Sequence, residues 1–150
     1  MTGVPDERLV GLADVSPDNW RAACALSVRP DQTGFVAPVA YYLALCTYGD
    51  DWYPVVITAG GEIVGFAMWA VDEADDSFWI GGLLVDAHHQ RRGYGRAALE
   101  LLMEAAAGGG HSRVALSYQP ANPARALYAA LGFTETGEVE EDEVVARRHL

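Results

Sequence analysis

The stretch VDAHHQRRGYGR, residues 85–96, joins an apolar, strand-like run over residues 78–85 to a helix-like run that begins at Ala97. Gly93 and Gly95 let the backbone of this segment approach a ligand closely, because glycine has no side chain. The free N–H groups at a helix start and the helix dipole both attract anions. The segment therefore predicts a binding loop for a phosphate-bearing cofactor.

A Gly-x-Gly pair between a strand and a helix is often only a tight turn, so the loop alone is weak evidence of function. It lacks the third glycine of a dinucleotide fingerprint and the Gly-Lys-Ser/Thr ending of a P-loop. These absences disfavour both a Rossmann site and a nucleoside triphosphatase.

The length and composition predict one compact domain over residues 1–150, since 51% of the 150 residues are hydrophobic. No apolar run approaches the roughly 20 residues that a membrane span needs. Residues 1–14 contain acids and a proline where a signal peptide has a basic start and an apolar centre. We therefore expect a soluble, cytoplasmic protein with no membrane partner.

The charge is strongly acidic: the formal net charge is −11, and all ten basic residues are arginines. This balance disfavours nucleic acid as a partner. Arg91, Arg92 and Arg96 fall in the glycine loop, whereas acids cluster elsewhere, including residues 135–143. One basic site on an acidic body indicates an anionic cofactor and a cationic substrate, although an acidic surface also serves solubility alone.

The two cysteines, Cys24 and Cys46, lie in apolar, helix-like segments with no Cys or His at metal-ligand spacing. We expect buried thiols in a reducing compartment and no metal. A nucleophilic role is disfavoured, because neither cysteine is flanked by a histidine or followed by a glycine-rich turn.

The hydrophobic pattern and the turn residues predict two helices, three antiparallel strands, a helix, a strand, a helix and a closing hairpin. Ser16 and Pro17 mark the first helix, as N-cap and first helical residue. Gly60 and Gly61 form the first hairpin turn. The other predicted bounds are 39–46 for the second helix, 55–59, 62–71 and 78–85 for the strands, then 97–107, 113–118 and 124–131, and finally 133–139 and 143–148 for the hairpin.

Two sequence motifs, one in the glycine loop and one about 30 residues later, resemble motifs of the GNAT N-acetyltransferase superfamily. Residues 90–95 are similar to its Gln/Arg-x-x-Gly-x-Gly/Ala pyrophosphate motif, and Asn122 with the later sequence Leu-Tyr-Ala-Ala-Leu-Gly-Phe, residues 127–133, is similar to its next helix. The resemblance implies an α/β (α+β) fold. Its central sheet would be mixed but mostly antiparallel, splayed at the cofactor site and flanked by helices.

The resemblance covers nearly the whole chain and is closest to the diamine (spermine/spermidine) acetyltransferase branch, through Asn19, Trp20, residues 32–38, Trp79 and Ile80. That branch typically continues with Asp-Arg, whereas this chain has Gly81 and Gly82. The difference removes a carboxylate and a guanidinium from the acceptor side and leaves the cofactor motifs intact.

The resemblance also implies acetyl-CoA as co-substrate, lying between the strand that ends at Val85 and the strand that contains Leu116. Its pantetheine would pair with the first of these strands and its diphosphate would meet the glycine loop. The implied cofactor-binding residues are Leu83, Leu84, Val85, Gln90, Arg91, Arg92, Gly93, Tyr94, Gly95, Arg96, Asn122 and Tyr128.

The implied catalytic residue is Tyr128, which would protonate the departing thiolate, while the backbone N–H of Leu84 or Val85 would polarise the thioester carbonyl. Asn122 would hold the cofactor or an ordered water. Tyr128 also has an ordinary interpretation as a packing residue with its hydroxyl at the rim, and Tyr94 is expected to pack rather than to react.

The acceptor side has weaker signals. Aromatic residues beside acids, namely Tyr42, Trp52 and Trp79 with Asp50 and Asp51, are candidates for a pocket that binds an aliphatic amine through its charge. Such an amine arrives protonated and needs a proton acceptor. We assign none, because the available groups are more often solvated surface residues: Asp72, Glu73, Asp86, His88 and His89.

These observations predict an N-acetyltransferase that moves acetyl from acetyl-CoA to a primary amine by direct attack in a ternary complex. We expect a small polyamine such as spermidine or spermine. The alternatives are another amine (an aminoglycoside, an amino acid or a protein N-terminus) and a non-catalytic acyl-CoA-binding module. The closing hairpin offers an edge through which a homodimer could form.

Overall fold

The computed structural model describes residues 9–150, which form one sheet with helices packed on both faces. The strands are β1 (Val10–Asp14), β2 (Tyr53–Ala59), β3 (Glu62–Asp72), β4 (Ser77–Val85), β5 (Arg113–Tyr118), β6 (Thr134–Glu140) and β7 (Glu143–His149). The helices are α1 (Trp20–Cys24), α2 (Val39–Tyr48), α3 (Tyr94–Gly108) and α4 (Arg125–Ala130), with single 3-10 turns at Pro30–Gln32 and Ala87–His89.

The sheet has seven strands in the order β1-β2-β3-β4-β5-β7-β6. Every neighbouring pair is antiparallel except β4 and β5, which run parallel. The mixed, mostly antiparallel architecture predicted from the sequence is therefore confirmed.

Two predicted features are corrected. The sequence analysis missed β1, a five-residue strand whose side chains are only half-buried or exposed and show no clear alternation. The first helix begins at Trp20 and not at Pro17, because the N–H of Ser16 donates to Asn19 Oδ1 and the Ser16 hydroxyl accepts from Asp18 N–H in a preceding turn. β1 forms because it pairs with β2, and the start of α1 moves to Trp20 because side chains bond to the backbone of the preceding turn.

The core lies on both faces of the sheet, because adjacent residues of a strand point to opposite sides. On one face α3 and α4 bury Leu99 and Tyr128 against β4, β5 and β7. On the other face α1 and α2 bury Ala23 and Val39 against Phe66 and its neighbours. Cys24 and Cys46 are free thiols beside this second cluster, and they are half-buried rather than fully enclosed.

The sheet opens between β4 and β5. Their pairing is limited to residues 77–79 of β4 with residues 113–115 of β5, after which both strands continue without a partner on this side. A bulge at Gly82, with φ +58°, adds one residue to β4 opposite Ala67 and bends the strand. The gap predicted between the Val85 strand and the Leu116 strand is thereby confirmed.

Among residues 9–150, none of the helices combines the length and the apolar character needed to cross a membrane.

Candidate active site

The glycine loop leads directly into α3, a helix of fifteen residues. Arg91 has φ +62° and Gly93, the N-cap, has φ +82°. Left-handed residues in a turn bring successive N–H groups together, and the first N–H groups of the helix have no intrahelical acceptor. The loop therefore provides backbone donors and positive dipole at one point, as the sequence predicts.

Two side chains hold this loop to the rest of the molecule. Gln90 Nε2 donates to the carbonyl of Val85 at 3.0 Å and to Gln32 Oε1 at 2.7 Å. Asp86, only 8% exposed, accepts from the N–H of Ser27 at 3.0 Å and of His88 at 3.2 Å. These bonds tie the loop to Gln32 in the 3-10 turn at Pro30–Gln32 and to Ser27, which precedes that turn.

The Asp86 carboxyl titrates below its ordinary range. Burial raises the pKa of Asp86, but hydrogen bonds from Ser27, His88 and His89 together lower it by more. His89 Nδ1 lies 3.3 Å from Asp86 Oδ2. The ionised carboxylate thus acts as an acceptor that organises the start of the loop.

A first cleft, of about 460 Å³, lies between the end of β4, the start of α3 and α4; we call it the cofactor cleft. Eleven of the twelve predicted cofactor residues line it, the exception being Arg92, which is exposed in the same loop. Tyr94 is 2% exposed and its ring packs in the core, as the sequence predicts. Sequence reasoning missed the remaining lining residues, Val28, Gln32, Phe35, Val36, His89, Pro123, Ala124 and Leu127.

Asn122 and Tyr128 lie on the opposite wall of the cofactor cleft. Asn122 Oδ1 accepts from the N–H of Ala124 at 2.9 Å and so helps to start α4. Tyr128 is 7% exposed, and its ring centroid lies 5.0 Å from that of Tyr118. Its hydroxyl forms no hydrogen bond with any residue in the range 9–150.

Burial, together with Tyr118 and the carboxylate of Glu143, raises the pKa of Tyr128 to about 12. The phenol is therefore protonated throughout the neutral pH range. A phenol O–H that lines a ligand cleft and has no protein acceptor is able to donate its proton to a group bound there.

A second cleft, of about 630 Å³, opens on the other side of the gap; we call it the acceptor cleft. It shares Phe35, Val36, Leu83, Asn122 and Tyr128 with the cofactor cleft, so the two meet at the splayed strands. Its aromatic lining residues are Phe35, Tyr41, Tyr42, Trp52, Trp79, Tyr118 and Tyr128. Its acidic rim is the β6–β7 turn, Glu140, Glu141, Asp142 and Glu143. Within the described part of the chain, no arginine or histidine lines it.

The structure brings together three of the five predicted acceptor residues, Tyr42, Trp52 and Trp79. Asp50 and Asp51 are exposed in the bend after α2 and line neither of the two clefts formed by residues 9–150. The carboxylates at the cleft come instead from the β6–β7 turn. The sequence showed that acidic run, but its position depends on how the hairpin folds across β5.

The glycines that replace Asp-Arg on β4 have a packing reason. A Cβ on Gly81 would lie 3.1 Å from the ring of Trp52, and one on Gly82 would lie 3.2 Å from the ring of Tyr42. Tyr42 stacks on Phe66 and accepts the N–H of Ala37 at 2.9 Å. Aromatic rings from other elements thus fill the space that two β4 side chains would occupy.

The groups considered as proton acceptors lie away from the acceptor cleft. Asp72 and Glu73 are at the β3–β4 turn, and neither Asp86 nor His88 lines either cleft. His89 lines the cofactor cleft, with Nε2 3.4 Å from Glu62 Oε1. The acids that line the acceptor cleft are instead those of the β6–β7 turn.

Comparison with known proteins agrees with this geometry. The sequence model of the Acetyltransferase (GNAT) family matches residues 20–133. The chain therefore belongs to the GNAT family.

The curated relatives differ in substrate. The chain is 35% identical over 135 residues to the mycothiol acetyltransferase of Clavibacter sepedonicus, a match that covers 90% of this chain and 43% of that protein. It is 27% identical over 101 residues to a probable spermine N(1)-acetyltransferase of Bacillus subtilis subsp. natto, covering 63% of this chain and 66% of that protein. The chain thus spans less than half of the first relative.

Among solved structures, Mycobacterium smegmatis RimJ in complex with CoA-disulfide has a TM-score of 0.73 at 22% identity, over 97% of this chain and 84% of that one. At this identity the likeness establishes the fold.

Proposed function

We propose that the protein transfers an acetyl group from acetyl-CoA to a primary amine, with a small polyamine such as spermidine or spermine as acceptor, by direct attack in a ternary complex. The family membership supports the reaction class. The second relative, a probable spermine N(1)-acetyltransferase, supports the acceptor class.

The residues of the cofactor cleft fit acetyl-CoA. In the described part of the chain, residues 83–85 of β4 have no partner strand on the side that faces β5. Their backbone groups on that side are offered to an extended pantetheine, which would pair as an added strand does. The N–H groups from Arg91 to Arg96 and the arginine side chains suit a diphosphate. When bound, acetyl-CoA supplies a thioester carbonyl, which the N–H of Leu84 or Val85 would polarise.

The observation that carries the acceptor class is the chemistry of the acceptor cleft. Four carboxylate residues and seven aromatic residues line it, and no basic residue in the range 9–150 does. Such a lining attracts an alkylammonium by charge and by cation–π contact. It disfavours acceptors that carry carboxylates of their own, such as acidic amino acids.

A second candidate is an acceptor amine other than a polyamine. It is favoured by the higher identity, 35%, to the mycothiol acetyltransferase. The acidic rim suits any cationic amine, so the two candidates differ in the length and charge of the acceptor rather than in the reaction.

The test is release of free thiol from acetyl-CoA with a panel of polyamines, aminoglycosides, amino acids and peptides. We expect turnover with spermidine or spermine at the lowest KM. Turnover restricted to aminoglycosides or peptides would refute the polyamine proposal. Binding of CoA without thiol release from any amine would identify a non-catalytic acyl-CoA-binding module.

The sequence further predicts a cytoplasmic location and a homodimer. β6 is the last strand of the sheet and all seven of its residues are exposed, which leaves an edge available for pairing with a second copy. Sedimentation of the purified protein tests this assembly.

A further inference from the structure

We infer that Glu143 is the group that takes the proton from the acceptor amine, and that Ser117 holds its carboxylate in position. This inference rests on the proposed acetylation of an amine and names the proton acceptor that the sequence analysis left unassigned.

Glu143 is the first residue of β7 and lines the acceptor cleft together with Tyr128. It is half-buried, whereas the other three acids of the turn, Glu140, Glu141 and Asp142, are exposed. The Ser117 hydroxyl donates to Glu143 Oε1 at 2.8 Å. Within residues 9–150 the second oxygen, Oε2, has no hydrogen-bond partner and remains available to a bound ligand.

The position is supported by what surrounds the carboxylate. The titratable groups that line the same cleft are Tyr41 and Tyr42 from α2, Tyr118 from β5, Tyr128 from α4, and the three other acids of the turn. The charge of Glu143 contributes, after burial, to raising the pKa of both Tyr42 and Tyr128. Glu143 therefore lies in the acceptor cleft within electrostatic range of both Tyr42 and Tyr128.

The glycines of β4 leave the supply of a carboxylate to another element. Gly81 and Gly82 carry no side chain, and the rings of Trp52 and Tyr42 occupy the adjacent space. A carboxylate in the acceptor cleft therefore comes from elsewhere in the chain. The β6–β7 turn is the element that supplies one.

Two residues carry the protons in the proposed reaction, Glu143 as acceptor and Tyr128 as donor. An alkylammonium, with a pKa of roughly 10, passes one proton to Glu143 Oε2 and frees its nitrogen lone pair. That nitrogen forms the new C–N bond as the C–S bond breaks, and the sulfur leaves with the bonding pair and takes the proton of the Tyr128 hydroxyl. The Tyr128 phenolate recovers a proton from the nitrogen of the new amide. Glu143 releases its proton to solvent at the open rim, so that one proton leaves per turnover.

The experiment compares Glu143→Gln with the native protein, using an amine that the native protein acetylates. The control is Glu104→Gln, the same change on the exposed face of α3. We expect kcat at saturating acceptor to fall about 100-fold near pH 7, the usual contribution of a general base. The ratio of the native kcat to the kcat of Glu143→Gln should fall as pH rises toward about 10, where the amine loses its proton without a base. The acceptor KM should change little, and the control should match the native protein.

Ser117→Ala separates positioning from proton transfer. We expect it to lower kcat by a smaller factor than Glu143→Gln does, with the acceptor KM and the shape of the pH profile unchanged, because the carboxylate remains but loses the hydroxyl that orients it. Ser117→Thr, which restores the hydroxyl, should restore the native kcat. Calorimetric binding of CoA checks that each variant is folded.

Three results would overturn the inference: an unchanged kcat in Glu143→Gln, an equal loss at every pH, or a change confined to the acceptor KM. Any of them leaves the proposed acetylation standing. If the native protein acetylates no amine, the proposed function fails, and the assignment of Glu143 fails with it.

Discussion

At the scale of single residues, the backbone conformation of the glycine loop depends on Gly93. Its φ of +82° is a conformation that costs an L-residue about 1 to 2 kcal/mol. A Cβ placed there would meet no atom within 4 Å, so the penalty is conformational rather than steric.

We therefore predict that Gly93→Ala lowers the free energy of unfolding by about 1 to 2 kcal/mol and weakens CoA binding. The matched control is Gly108→Ala in α3, where the added Cβ also meets nothing within 4 Å and φ is not positive. That control should stabilise by up to about 1 kcal/mol. Chemical denaturation and calorimetry measure both quantities, and equal effects of the two substitutions would contradict the argument.

Tyr128 gives the second prediction at this scale. We expect Tyr128→Phe to lower kcat about 100-fold with little change in KM, because the substitution removes only the donated proton. Tyr48→Phe, at a residue 88% exposed, is the control and should have native kinetics. An unchanged kcat in Tyr128→Phe across the pH range would exclude this residue as the proton donor.

The same phenol affects stability at alkaline pH. The pKa of Tyr128 is raised from 10 to about 12 in the folded protein. The stabilisation that its neutral phenol gives the folded state is therefore fully present below about pH 10 and is lost as pH rises toward 12. Tyr128→Phe should therefore lose stability less steeply than the native protein over this window. Tyr42 and Tyr118, whose pKa values burial also raises, contribute equally to both proteins.

At the scale of elements, Asp86 joins the end of β4 to the segment after α1. We predict that Asp86→Asn lowers stability at neutral pH by roughly 1 to 3 kcal/mol, since hydrogen bonds to a charged acceptor are lost. The folded-state pKa of Asp86 is lowered, so this stability is present above about pH 4 and is lost as pH falls through the folded pKa.

Denaturation at several pH values measures the effect, with Asp18→Asn, at an exposed residue before α1, as the control. The difference between the native protein and Asp86→Asn should close in acid. A constant difference at all pH values would mean that the carboxylate charge is not what stabilises the loop.

Most elements were predictable because their signals are local. β5, residues 113–118, was predicted with its exact bounds, and Gly60 and Gly61 do form the turn between β2 and β3. β1 was not predictable, since its five residues become a strand only by pairing with β2. α3 begins at Tyr94, three residues before the predicted start, because Gly93 serves as its N-cap.

At the scale of the whole molecule, charge is divided between the two clefts. Arg91 and Arg96 line the cofactor cleft, whereas the acceptor cleft has four acidic residues on a protein with a net charge of −11. This division favours an anionic cofactor on one side and a cationic acceptor on the other.

We predict that the KM for a polycationic acceptor rises roughly 3- to 10-fold as ionic strength increases from low to physiological values, because salt screens exposed charges beyond about 8 Å. An amine that is neutral at the assay pH is the control, and its KM should change little. Equal salt dependence for both amines would argue against electrostatic attraction of the acceptor.

The wall of the cofactor cleft that β4 and α3 form was determined by the sequence itself. Its predicted residues are nearly contiguous from 83 to 96, and its strand, glycine turn and helix start are local structures. The acceptor side was decided by the tertiary structure, because α2, Trp52, β4, β5 and the β6–β7 turn meet only when the sheet closes. For this reason Glu143 and Ser117, 26 residues apart, could not be recognised as a pair from the sequence, while Asp50 and Asp51, next to Trp52 in the chain, lie outside the cleft.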